Sequence, residues 1–170
     1  MRTQQSMLQQ ADRGQSSRGF SLIELLIVVA VILVIAAIAV PNFLRSKMRA
    51  NEASAVANLR NIDTAEVVYT TTYGVGYSPT LAALGGNPTI PDATQAGLID
   101  SVLSSGIKSG YAYTFGVTSS DANGNVLGYS VNADPTVAGT TGDRHFYSDQ
   151  TAIIRQNTTG VASSTDPAIQ

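Results

Sequence analysis

The chain has 170 residues, 44% hydrophobic and 13% charged, a length that allows one modest core and leaves little room for a second domain. A formal net charge of -2 argues against nucleic acid as a direct partner, which calls for a clustered basic surface. With no cysteine, no tryptophan and His145 as its single histidine, the chain has neither disulfides nor thiolate metal ligands, and few of the residues that build hydrolytic triads or zinc sites.

Residues 1–19 are polar and rich in Gln and Ser, carry Arg2, Arg13 and Arg18 against Asp12, and show no hydrophobic periodicity; they read as a leader without regular structure. Residues 20–40 are apolar at nearly every position and stop at Pro41. As a helix rising about 1.5 Å per residue they span roughly 30 Å, the thickness of one hydrocarbon core. A cleavable secretory signal would have a shorter apolar region followed by a small-residue cut site. Here the run is longer, and its most suggestive cut site, Gly19-Phe20, precedes it.

In residues 41–73 the character changes. Ala55, Leu59, Ile62, Ala65, Tyr69 and Tyr73 recur at spacings of three and four, with Arg60, Asp63 and Glu66 between them, which predicts an amphipathic helix. Pro41 removes one backbone donor and is a candidate kink, yet a membrane helix tolerates proline, so residues 20–73 can form one rod about 80 Å long.

Residues 74–170 form the remaining region. Gly74, Gly76 and Pro79 end the helix, and a loop-rich stretch containing "LGGNPTIPD" leads to a short helix expected around residues 94–104. Four strand-like runs follow, starting at Tyr111, Val126, Arg144 and Thr151. Tyr111, Tyr113, Phe115 and Val117 alternate with small residues, the period of a half-buried strand. "SSDANGN" reads as a hairpin loop and Asp149-Gln150 as a tight connection, while the tail from Asn157 reads as an irregular edge. The expected fold class is α+β: a long N-terminal helix packed on a four-stranded antiparallel meander, because the apolar face of each needs a cover.

Glu24 is the residue that chemistry singles out. An acid in a membrane helix costs on the order of 3 kcal/mol at the centre of the span and calls for a partner. Near the end of the span it can reach the interface, where the positive end of the helix dipole also favours it. Were the chain cut after Gly19, Phe20 would carry a free amine one helical turn before Glu24, on the same face. Whether the acid would meet the amine of its own chain or of a neighbour is not set by the spacing.

The segment from Arg18 through Gly19, Phe20, Ser21 and Glu24 to "LLIVVAVILVIAAIAVPNF" resembles the N-terminal segment of type IV pilins and type II secretion pseudopilins. The resemblance implies a pilin-like fold and cleavage between Gly19 and Phe20 by a prepilin peptidase, which then methylates the amine of Phe20. It further implies a role for Glu24 in assembly and a loosening of the helix around Pro41. The partners it implies are identical or related subunits, inner-membrane pilus or secretion machinery and, before assembly, the lipid bilayer. Arg13 and Arg18 on one flank balance Arg45, Lys47 and Arg49 on the other, so charge does not choose an orientation. The resemblance places the leader in the cytoplasm and the C-terminal domain outside the inner membrane.

Other candidates have ordinary readings. Asp121, Asn123 and Asn125 superficially resemble the start of a calcium loop, but Gly124 is displaced from the sixth position and Asn132 stands at the twelfth, so a plain hairpin loop is favoured and no cofactor is expected. His145 beside Asp143 reads as a packed or surface residue, and the Asn157-Thr158-Thr159 sequon as chance. The favoured function is a non-enzymatic structural subunit of a type IV pilus. The alternatives are a secretion pseudopilin, then a monomeric membrane-anchored binding module; an anchored enzyme lacks a convergent site.

Overall fold

A computed structural model describes residues 19–169; the leader expected at residues 1–19 lies outside them except for Gly19. The described elements, in chain order, are α1 (Leu22–Tyr73), α2 (Leu81–Leu84), α3 (Ser101–Ser104), β1 (Ile107–Lys108), β2 (Tyr111–Ser120), β3 (Val126–Pro135), β4 (His145–Asp149) and β5 (Arg155–Asn157). The chain divides into two units at the Val40–Pro41 step.

In the first unit, α1 is apolar all round. Every large apolar side chain from Leu22 to Val40 is 46–80% exposed, so no described residue covers them. The helix is long and apolar enough to cross a membrane.

In the second unit, α1 lies against one sheet. Ala55, Leu59, Ile62, Ala65 and Tyr69 are buried, and Tyr73 packs at the margin of the same core. Opposite them stand Tyr111 and Tyr113 of β2, Tyr129, Val131 and Ala133 of β3, and Phe146 of β4, each pointing inward at every second position. The amphipathic period and the aromatic alternation therefore meet as the sequence implied.

The sheet has five antiparallel strands in the order β1-β2-β3-β4-β5, a meander with one strand more than expected. The extra strand is β1, which pairs Ile107 with Ala112 and Lys108 with Tyr111 across a tight turn. The last strand also begins later than Thr151. The Asp149 carboxylate accepts from the Thr151 N–H at 2.9 Å and from its hydroxyl at 2.6 Å, and Ala152 takes a positive φ of 56°, so the turn continues and pairing starts only at Arg155.

The helix expected around residues 94–104 shrinks to α3. Asp100 caps it, accepting from the Val102 and Leu103 N–H groups, while residues 96–98 donate their N–H groups to Ala83, Gly85 and Leu84 and so cannot bond helically. Those donations satisfy carbonyls in and just after α2, a turn that the sequence did not announce. The tail from Asn157 is irregular, as expected, but pinned. Ile169 N–H donates to Ile154 O at 2.9 Å, and Asn132 Nδ2 donates to Ala162 O at 2.7 Å.

Candidate functional site

Gly19 and Phe20 precede the first helical residue, in exposed, non-helical backbone. A side chain at Gly19 would meet nothing within 4 Å, so local space does not select glycine there. Phe20 is 77% exposed.

Glu24 lies in the first turn of α1 and reaches back to the start of the helix. The Ser21 N–H donates to Glu24 Oε2 at 2.9 Å, while the Leu25 N–H donates to the Ser21 carbonyl at 3.2 Å. This is the Glu arm of a capping box, with Ser21 at the cap and the acid three residues on. It gives the carboxylate a job within its own chain, satisfying a donor that the helix leaves orphaned. Oε1 makes no hydrogen bond among the described residues and is open to a second donor. The Ser-x-x-Glu spacing ahead of an apolar run was the signal for this arm, and sequence reasoning passed it over. Pro41 lies within α1, which runs helical through it to Tyr73.

The acids of the second half of the helix behave differently. Asp63 and Glu66 are not on a wet face: they are buried at 5% and 0% exposure, because the stripe facing the sheet is wider than its apolar members alone. Asp63 accepts from the Tyr129 hydroxyl at 3.0 Å and the Ser148 hydroxyl at 2.7 Å. Glu66 accepts from the Ser78 N–H at 2.8 Å and its hydroxyl at 2.5 Å. Burial raises both acids, Glu66 to about 7, against the opposing pull of these hydrogen bonds. Glu52, also buried, receives Arg144 Nε at 2.9 Å and the backbone N–H groups of Asp143 and Arg144. No buried side-chain polar atom lacks a partner among the described residues.

The remaining candidates separate in space. His145 Nδ1 is 2.6 Å from Asp134 Oδ1 rather than bonded to Asp143. Asp121 closes its own loop, accepting from the Asn123 and Asn125 N–H groups and from Asn125 Nδ2, bonds that hold its carboxyl below the usual range. Asn157 spends its amide nitrogen on Asp166 Oδ1 at 3.1 Å. No group of three or more His, Cys, Asp or Glu side chains suited to a metal ion occurs among the described residues.

Residues 14–40 match the family model described as the prokaryotic N-terminal methylation motif. The N-terminal segment of this chain is a prepilin-type methylation motif. The chain is 50% identical over 50 residues to the type IV major pilin protein PilA of Myxococcus xanthus, a stretch covering 29% of this chain and 23% of that protein. It is 45% identical over 47 residues to the type IV wide pilus major component PilA4 of Thermus thermophilus, covering 28% of this chain and 36% of that protein. The chain thus aligns with about a quarter to a third of the length of these relatives. No solved structure matches it. The methylation motif includes Gly19, Phe20 and Glu24 and ends where the apolar run ends, before Pro41.

Proposed function

We propose that this chain is a structural subunit of a type IV pilus, made as a precursor and polymerised through its N-terminal helix. A prepilin peptidase cuts between Gly19 and Phe20 and methylates the new amine of Phe20. Residues 20–40 hold the subunit in the inner membrane, with the C-terminal domain outside the cytoplasm, until identical or related subunits replace lipid around the helix. The chain catalyses no reaction and needs no cofactor in this role.

The observation that carries the reading is the methylation motif set on a helix whose apolar side chains no described residue covers. Such a surface needs either lipid or sister helices. The open Oε1 of Glu24 supports a second bond, made when assembly brings the cationic amine of a neighbouring subunit within reach. Subunits joined by one repeated, non-closing contact form a filament. A pilus is favoured over a secretion filament because both relatives above are pilus components by name.

Mass analysis of the chain recovered from a host that has the peptidase tests the reading. The expected product begins at Phe20 and carries a methyl group; a chain that still begins at Met1 overturns it.

A further inference from the structure

Glu66 is a fully buried acid whose two oxygens are bonded to one residue, Ser78, through its N–H and its hydroxyl. The titratable groups around it are acids and phenols: Asp63 and Tyr69 on α1, Tyr129 on β3 and, packed against Tyr129, Tyr77 of the segment that carries Ser78. Asp149 acts on Asp63 and Asp92 on Tyr69, which adds further negative charge. No Lys, Arg or His forms an ion pair with Asp63 or Glu66 among the described residues. An ionised carboxylate in such a place has hydrogen bonds but no counter-charge, so any movement that admits water favours it.

The wall that can move is the segment of residues 74–80, between α1 and α2 and outside every helix and strand. It leaves the helix at Gly74, whose N–H closes the last turn on Thr70 O at 3.1 Å, and turns again at Gly76; both glycines take positive φ, 67° and 80°. A side chain at Gly76 would run into the Val126 carbonyl, so the segment lies close against the start of β3. Apart from Ser78 its hold is slight. The Thr70 hydroxyl donates to the Gly76 carbonyl at 3.1 Å, the Tyr77 N–H donates to the Val126 carbonyl at 2.9 Å, and the Tyr77 ring stands edge-on to Tyr129 with centroids 4.9 Å apart. A connection held by so few bonds opens at lower free energy than the sheet beneath it.

We propose that residues 74–80 form a proton-released strap: closed on α1 and β3 while Glu66 is neutral, and lifted locally at Ser78 when Glu66 ionises, with the sheet still folded. The closed form suits the neutral acid, which donates to the Ser78 hydroxyl while that hydroxyl donates to Thr80 O at 3.2 Å. The open form suits the ion, which water then surrounds. Burial raises Glu66 from 4.5 to about 7 in the closed form, and water restores its ordinary value in the open one. Opening therefore releases a proton, and its frequency grows as pH rises through that window. The strap does not depend on filament assembly.

The test is amide hydrogen exchange, followed by NMR on the full chain in detergent micelles at about pH 5 and about pH 7.5 and corrected for intrinsic exchange. Protection of the Tyr77 and Ser78 amides is expected to fall about 50-fold between the two, the ratio for one group that moves from about 7 to 4.5 on opening. At both pH values it is expected to stay below that of Val131 and Ala133 on β3, which pairs with a strand on each side. E66Q is expected to remove the pH dependence, and D63N to keep most of it. Wild-type strap amides as well protected as Val131 and Ala133, or protection that does not change with pH, overturns the proposal whether or not either variant folds. A pH dependence that survives in E66Q, or that vanishes in D63N, also overturns it and moves the proton to another group.

Discussion

Glu24 and Glu66 belong to the same helix and solve the same problem in opposite ways. Glu66 is fully buried, with both oxygens bonded to Ser78, and burial raises its carboxyl to about 7. Glu24 is exposed, with one oxygen on the Ser21 N–H and the other open among the described residues. The second half of α1 finds its cover in its own chain, from the sheet and from residues 74–80. The first half finds none among the described residues. Within one helix, completeness marks the part that folds the domain, and incompleteness marks the part to which the proposed function gives an association role.

The sharpest way to break this contrast is Glu24→Ala. The variant is expected to insert and to be cut normally, yet to form no filaments visible by electron microscopy; normal filaments would remove the acid from assembly. Alanine substitutions next separate the two halves. Phe146→Ala empties a buried site beside Tyr111 and is expected to cost about 3–5 kcal/mol in denaturant unfolding, whereas Ile32→Ala, exposed in the first half, should leave the unfolding of the sheet unit unchanged.

Titration gives the next effect. Because the folded-state value of Glu66 is raised from 4.5 to about 7, the folded chain keeps a proton that the unfolded chain releases. Stability is therefore greatest below about pH 4.5 with respect to this group, falls as pH rises to about 7 and levels off above it, a loss of up to about 3 kcal/mol. The raised Asp63 adds in the same direction, while Asp92, Asp100, Asp121 and Asp166, all lowered, act in the opposite sense only at lower pH. A neutral Glu66 also has a complete set of bonds: it donates to the Ser78 hydroxyl, which turns its own proton to Thr80 O at 3.2 Å. Glu66→Gln is expected to flatten the unfolding free energy between pH 5 and 7.5 (roughly the window between the two values).

Smaller still, Tyr129→Phe removes one of the two donors to Asp63 and is expected to cost about 1–2 kcal/mol. Millimolar calcium should leave the melting temperature unchanged, since the Asp121 carboxylate is already engaged by Asn123 and Asn125.

What the sequence made legible was periodic or contiguous. The uniform apolar run, the three-and-four spacing from Ala55 to Tyr69 and the alternation from Tyr111 to Phe115 each act within a few residues, and each holds in the structure. Asp63 and Glu66 escaped because their donors lie elsewhere: Ser78 is 12 residues on, Tyr129 is 66 and Ser148 is 85. The extra strand and the late start of β5 escaped for a local reason, since two or three paired residues beside a side-chain-bonded turn carry no period to detect. At the N-terminus the order Gly-Phe-Ser-x-x-Glu was fully readable, and only the capping arm of the acid was missed.

The two ends of the sheet carry a further consequence. β1 has two residues and β5 three, and the outer side of β5 is occupied by the tail through Gln156 N–H to Pro167 O and the Arg155–Ala168 bridge. Exposed strand edges are templates for uncontrolled stacking; the β5 end is covered, whereas β1 pairs only with Tyr111 and Ala112 and leaves the rest of β2 without a strand on that side among the described residues. At the β5 end the tail takes the place that a strand of another copy would fill, so any strand addition is confined to the β2 side.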